Sequence, residues 1–267
     1  MDLGLNNKHV MVTGASGGIG IVVTRMFLEE DAKVTAIYNT SRKPLDELSR
    51  DWKDSLNIVC ADQTQEDDVV EAFESACSSF GRVDVLVANA GIANQEGVAA
   101  HEMPLDQWEE TLNVNLTGSF LFAKHFLGNL ESNSGDSASL ILVGSTAGVF
   151  GEAWYADYST SKAGLYGLMM SLKNEIVHLA KRGRVNLVNP GWTLTPMAEQ
   201  ALHDEAMVGR ILQTIPMRKT ATPEDIAGAI LYLSSDRLSG HVSGQTLTIA
   251  GGMEGRVLFD RKETGDQ

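Results

Sequence analysis

Seven short, near-continuous apolar runs alternate with longer stretches of helical periodicity along this chain of 267 residues. The runs fall at 8–13, 33–38, 57–61, 83–88, 139–143, 184–188 and 245–249. A strand with one face in water shows polar residues at every second position, whereas a strand apolar throughout needs cover on both faces. The stretches between the runs supply that cover. Helical periodicity runs from the glycines after residue 13 to about 31, then over 44–54, 65–80, 104–130, 156–181 and 223–235. Acidic residues open the 65–80 stretch, Pro104 suits a first helical turn, and Gly183 reads as a stop signal after 156–181. Strand–helix–strand repeats place neighbouring strands parallel, with helices crossing over on both faces. No linker, low-complexity tract or charge block separates the units. The expectation is an α/β chain with one doubly wound, parallel, seven-stranded sheet. A single domain spans 1–253, and the extension at 254–267 reads as partly disordered.

Composition removes several functions. The net charge of −14 disfavours nucleic acid and anionic membranes as partners, because both require basic patches. It leaves room for one anionic cofactor, which a turn and a helix end can hold locally. The six histidines show neither HxH nor HExxH spacing, so no metal is expected. The two cysteines, Cys60 and Cys77, form no CxxC and fit a reduced, cytoplasmic setting. The opening residues MDLGLNNKHV show no signal peptide, and no apolar run is long enough to cross a bilayer.

Two local patterns carry chemistry. Thr13-Gly14-Ala15-Ser16-Gly17-Gly18-Ile19-Gly20 lies between the first strand and the first helix. Glycines there permit positive φ, bring backbone close to a pyrophosphate, and let helix pack on strand, while the helix N-terminus offers free N–H groups. Tyr158 and Lys162, four residues apart, share one helix face. An ammonium beside a phenol stabilises the phenolate, so the Tyr158 pKa is expected to fall from about 10 towards working pH.

With its TGxxxGxG turn the chain resembles the short-chain dehydrogenase/reductase family, the short single-domain branch that includes 3-oxoacyl reductases and sugar/alcohol dehydrogenases. The resemblance continues through Asn89-Ala90-Gly91, Asn115 within Asn113-Val-Asn-Leu-Thr-Gly118, and Ser145 thirteen residues before Tyr158. It extends over Pro190-Gly191 with Thr195 and Met197, over Pro223-Glu-Asp-Ile-Ala227, and over Ser243-Gly-Gln245 through Gly251-Gly-Met253. It implies a Rossmann-like fold and an NAD(P)(H)-dependent oxidoreductase that interconverts a carbonyl and a secondary alcohol. Tyr158 would be the acid/base. Lys162 would tune it and hold the nicotinamide ribose, Ser145 would bind the substrate oxygen, and Asn115 would keep a water in a proton relay. The cofactor set it implies begins with Gly14, Ser16, Gly18, Ile19 and Gly20 in the turn. It continues with Asn39, Ser41 and Arg42 after the second strand, and Asp62 and Gln63 after the third. Asn89, Gly91, Tyr158, Lys162, Pro190, Gly191, Thr193 and Thr195 complete it. A non-catalytic nucleotide-binding sensor or scaffold on the same fold is the alternative.

NADP(H) is favoured over NAD(H). NAD-preferring members place an acid where this chain has Tyr38 and Asn39, whereas Ser41 and Arg42 suit a 2′-phosphate. Gly17 departs from this, since many NADP-binding members carry a basic residue there. A substrate lid is expected at 192–218, made apolar by Met197, Leu202, Met207, Ile211, Leu212, Ile215 and Met217. With Trp154, Tyr155 and Trp192 it suggests a hydrophobic or flat pocket for a small-molecule ketone, 3-oxoacyl thioester or sugar/polyol. His101 and Glu102, in the loop after the fourth strand, read as exposed. Long apolar helices resemble the family's subunit interface and imply a homotetramer or homodimer. Val257-Leu-Phe259 is expected to dock on a neighbouring subunit.

Overall fold

The structure, a computed structural model, describes residues 2–198 and 205–258. Strand β1 (His9–Val12) leads through the glycine turn into α1 (Gly18–Glu29), then β2 (Lys33–Tyr38) and α2 (Lys43–Leu48). β3 (Leu56–Cys60), α3 (Glu66–Phe80) and β4 (Val85–Ala88) follow. α4 (Leu105–Leu112) and α5 (Ser119–Ser132) flank a π-helical turn over Asn113–Gly118. β5 (Ser137–Val143), α6 (Ala147–Phe150), α7 (Ala156–Glu175) and β6 (Arg182–Pro190) complete the central part. Helices Glu205–Gln213 and Pro223–Ser234 precede β7 (Thr246–Ile249).

All seven strands pair in parallel in the order β3-β2-β1-β4-β5-β6-β7. The longest register joins β5 to β6, from Ser137 opposite Arg182 to Val143 opposite Val188. The period of two explains why the strands read as unbroken apolar runs. Met11, Leu86, Leu140 and Leu142 point to one face, packed with Phe73, Phe122, Phe126, Leu165 and Met169 of α3, α5 and α7. Val10, Val12, Val85, Val87, Ile141 and Val143 point to the other, packed with Val23, Phe27, Ile226 and Ile230. Each face buries its own half of every strand, so neither half is free to be polar.

Several boundaries differ from the sequence reading. The 44–54 helix stops at Leu48, because the chain tightens into i→i+3 bonds, Arg50 N–H to Glu47 O and Asp51 N–H to Leu48 O. The 104–130 helix is interrupted by the π-turn, and 156–181 ends at Glu175 with a 3₁₀ turn over Ile176–His178. Gly183 is not a helix stop; it lies inside β6. A methyl there would stand 2.8 Å from the Ile176 carbonyl oxygen and 2.9 Å from that of Ala180, so the strand's approach to the helix end requires glycine. In the expected lid, Ile211 and Ile215 are buried while Met197 and Met217 are exposed; Leu202 lies outside the described residues. Leu258 hydrogen-bonds within its own chain, donating to Gln213 O at 2.7 Å and accepting from Arg218 at 3.3 Å. Phe259 and the rest of the expected disordered end, 259–267, lie outside the described residues.

Candidate active site

The strand order reverses between β1 and β4, and open α/β sheets form their crevice at such a point, beyond the carboxyl ends of the strands. A cleft of about 1450 Å³ lies there. Its walls bring together loops that are far apart in sequence: the glycine turn, Tyr38–Ser41, Ala61–Thr64, Asn89–Gln95, Val143–Ala147, Tyr158 with Lys162, and Pro190–Thr193 with Thr195–Ala198.

Backbone builds one end. Gly14 has φ +61°, and a methyl on it would stand 2.8 Å from Ala90 Cα. A methyl on Gly18 would meet Thr195 Cβ at 2.7 Å, and one on Gly20 would strike the Gly14 carbonyl oxygen. α1 starts at Gly18 with Gly17 as its N-cap, and no side chain caps it. Its first N–H groups therefore have no intrahelical partner, while Gly17, Gly18 and Ile19 line the cleft. Asn89 pins the turn, its Nδ2 donating to Thr13 O at 3.0 Å and to Gly14 O at 3.3 Å. A pyrophosphate fits this donor set.

Side chains build the other end. Tyr158, Lys162 and Ser145 all line the cleft. Lys162 is 5% exposed, and its Nζ donates to Val143 O at 3.0 Å. Burial lowers its pKa to about 8. The Tyr158 pKa does not fall as expected: burial raises it, against a hydrogen bond with Ser145. The physical reason is desolvation, which penalises the phenolate, while Lys162 Nζ stands 5.8 Å from the ring centroid and donates a hydrogen bond to Val143 O. Ser145 Oγ accepts from Ala147 N–H at 3.1 Å.

Asn115 is fully buried behind the wall, on the π-turn. Its Oδ1 accepts from Ile92 N–H at 2.7 Å, and its Nδ2 donates to Ile92 O at 2.9 Å and Ser161 Oγ at 3.0 Å. A methyl on Gly91 would stand 2.9 Å from Lys162 Nζ and 3.0 Å from Asn115 Oδ1, so the two groups flank that glycine.

Of the remaining sequence-derived candidates, Ser16, Asn39, Ser41, Asp62, Gln63, Pro190, Gly191, Thr193, Trp192 and Met197 line the cleft. Asp62 is committed locally: its Oδ1 accepts from Thr64 N–H at 2.9 Å and Thr64 Oγ1 at 2.8 Å. Gln63 ties the wall together by donating to Val114 O at 2.8 Å. Arg42 does not line the cleft; Asp46 holds its guanidinium at 2.8 Å one helical turn on. Trp154 does not line it either. With φ +67° it points outward, 63% exposed, while its carbonyl accepts from Val98 N–H at 2.8 Å. His101 and Glu102 are exposed, as expected. Among the described residues, no group of His, Cys, Asp and Glu converges to hold a metal.

Sequence reading missed Asp157. It is 1% exposed, and its Oδ2 accepts from Asn94 at 3.0 Å, Gln107 at 3.2 Å and Thr111 at 2.9 Å. Its Oδ1 accepts the Tyr158 N–H at 2.8 Å. One carboxylate thus joins the loop after β4, α4 and the first turn of the helix bearing Tyr158. Nothing in the spacing of these residues signals that they meet. Glu152 in the cleft was missed for the same reason, whereas Tyr155, expected at the pocket, lines it.

A family model described as enoyl-(acyl carrier protein) reductase matches residues 14–254. Over 252 residues the chain is 32% identical to a 3-oxoacyl-(acyl-carrier-protein) reductase of Thermotoga maritima, covering 93% of this chain and 98% of that protein. Over 260 residues it is 34% identical to a 3-oxoacyl-(acyl-carrier-protein) reductase of a Synechocystis species, covering 96% and 99%. Over 248 residues it is 34% identical to a cis-4-hydroxycyclohexanecarboxylate dehydrogenase of Sinomonas cyclohexanicum, covering 92% and 96%.

Proposed function

The chain belongs to the short-chain dehydrogenase/reductase family and is an NAD(P)-dependent oxidoreductase of carbonyl and alcohol groups; from that premise we propose how its residues divide the reaction. One observation carries the reading. A single cleft runs from an uncapped helix N-terminus at a glycine turn to a buried tyrosine, serine and lysine. A nicotinamide dinucleotide bound along it supplies or accepts the hydride. Tyr158 keeps its proton at neutral pH, because burial holds its pKa up, and gives it to the carbonyl oxygen in reduction. Ser145, whose oxygen already accepts from Ala147, has its O–H to turn towards that oxygen. Lys162 holds the nicotinamide ribose and replenishes the Tyr158 proton. Asn115 keeps one lone pair of Oδ1 for a water beside Gly91 and Lys162. A mere sensor gains nothing from a desolvated ammonium at this point, so turnover is the better reading.

NADP(H) is the preferred cofactor. Tyr38, Asn39, Thr40 and Ser41 line the adenosine end, and none of the four carries a carboxylate to repel a 2′-phosphate; Asp62, also in the wall, is held by Thr64. The exposed Arg42–Asp46 pair is cheap to break, leaving Arg42 within reach of such a group. The substrate is a small-molecule ketone, thioester or polyol, with 192–218 as its lid. Exposed Phe120 on α5, and Tyr166 and Met170 on α7, support assembly into a homodimer or homotetramer. Two free cysteines support a reducing compartment, the cytoplasm. The test is a panel of ketones, aldehydes and alcohols followed at the nicotinamide absorbance band with NADPH and NADH. Turnover with NADPH preferred is expected; no turnover with any pair overturns the reading.

A further inference from the structure

The cleft contains a carboxylate that the reaction itself does not use. Glu152 lines it six residues before Tyr158, in the turn between α6 and α7. Gly151, at φ +77°, turns the chain there. The Glu152 N–H donates to Ser159 Oγ at 3.1 Å, which ties the residue to the first turn of the helix bearing Tyr158. Glu152 is exposed as a residue but lines the cleft, and partial burial pushes its carboxyl pKa up. The Tyr155 phenol beside it is pushed up first by burial and then by the Glu152 charge. Gln95 and Tyr155 add polar groups to this end of the cleft, and Trp192 and Met197 add apolar ones. Among the described residues that line the cleft, the one cation is Lys162, buried and bonded to Val143 O. No other arginine or lysine lines the cleft among the described residues to pair with an anionic substituent.

We propose that Glu152 selects the charge of the substrate, excluding carbonyl compounds that carry a carboxylate, a phosphate or an acidic carrier, and accepting a hydrogen bond from the hydroxyl of an uncharged polar ketone. The inference rests on the oxidoreductase reading and narrows its substrate class. It parts this chain from the relatives whose names specify an acyl carrier protein or a carboxylate. The physics is that of like charges in a partly desolvated cleft, where repulsion over a few ångströms changes binding by about tenfold or more. A carboxylate acceptor also discriminates by what a substrate can donate to it.

The test uses two ring ketones of the same shape that differ in charge and in hydrogen-bond donation, the two properties Glu152 would read: 4-oxocyclohexanecarboxylate and 4-oxocyclohexanecarboxamide. Their kcat/KM values are compared in the wild type, Glu152→Gln, Glu152→Lys and, as an exposed control outside the cleft, Glu102→Gln. The wild type should prefer the amide by about tenfold. Glu152→Gln should bring the ratio near one, Glu152→Lys should invert it, and Glu102→Gln should leave it unmoved. If neither ketone turns over, the same pair is compared as competitive inhibitors of whichever panel carbonyl is reduced, with the same ordering expected. A wild type that handles the carboxylate as well as the amide, or a ratio unchanged in both Glu152 variants, overturns the inference while leaving the oxidoreductase reading intact. Failure of every carbonyl in the panel overturns that reading, and the inference with it.

Discussion

Two cations are buried at opposite ends of the same strand pair, and they are treated differently. Arg184, near the start of β6, is 2% exposed. Its guanidinium donates to Leu233 O at 2.6 Å, Ser239 Oγ at 2.9 Å and Ser234 O at 3.3 Å. Those carbonyls belong to the end of helix Pro223–Ser234, where the last C=O groups lack intrahelical partners. Burial lowers the Arg184 pKa, but the nearby Asp236 opposes the shift. Lys162 lies at the other end of β5, where its hydrogen bond among the described residues is to Val143 O, and no carboxylate opposes its desolvation. Arg184 Nε is buried without a partner, but a cation held to a helix end by three hydrogen bonds, with a carboxylate opposing its pKa shift, locks a structure. One with a single hydrogen bond among the described residues and no carboxylate opposing its desolvation is destabilising beside a cleft, and keeps donors and a proton available for chemistry.

The most drastic way to probe the chemical end is Tyr158→Phe. It removes one oxygen and should cut turnover by about 10²–10⁴-fold while cofactor binding, read by fluorescence titration, persists. Near-normal turnover would take the proton from Tyr158 and end the contrast.

Arg184→Met and Lys162→Met come next, and they should move stability in opposite directions. Arg184→Met strands helix-end carbonyls and should lower urea-determined stability by about 3 kcal/mol with kcat nearly unchanged. Lys162→Met relieves a desolvated charge and should raise stability at pH 7 by up to roughly 3 kcal/mol while abolishing most turnover. The sign follows from linkage. The folded Lys162 titrates at about 8 and the unfolded one at 10.5, so between those values the unfolded chain binds more protons. Wild-type stability should therefore gain a contribution from Lys162 as pH rises from about 8 to 10.5, and the methionine variant should lack that gain. Both variants destabilising alike would mean that the two cations are equally structural.

The smallest effect is expected at the far end of the cleft. Arg42→Ala should raise KM for NADPH about fivefold and leave KM for NADH almost unmoved, since a single surface charge contacts only the 2′-phosphate. Equal changes for both cofactors would remove Arg42 from the phosphate site and leave Ser41 as its nearer candidate.

The backbone end was legible in part for a local reason. The positive φ of Gly14 and the contact of Gly20 with the Gly14 carbonyl lie within the turn and show in residue type and spacing, whereas Gly18 is crowded by Thr195 and Gly14 by Ala90, which only the fold brings near. Ser145, Tyr158 and Lys162 were equally legible, because one strand end and one helix carry them. Trp154 and Arg42 were not. A backbone turn at φ +67° sends the first outward, and an aspartate one helical turn on holds the second. The π-turn at Asn113–Gly118 was also hidden, since one residue's change in hydrogen-bond register leaves helical periodicity nearly intact.

By itself, then, the sequence determined the seven parallel strands, the glycine turn between the first strand and the first helix, and the spacing of Tyr158 and Lys162 on one helix face, all of which rest on short-range pattern. The tertiary structure decided what those groups are. Burial raises the Tyr158 pKa where the neighbouring lysine alone would lower it, and it leaves Lys162 near 8. The structure also gathers Asn94, Gln107 and Thr111 onto Asp157, and sets Glu152 in the wall of the cleft. Desolvation and convergence depend on everything that packs around a group, and no local spacing carries that information.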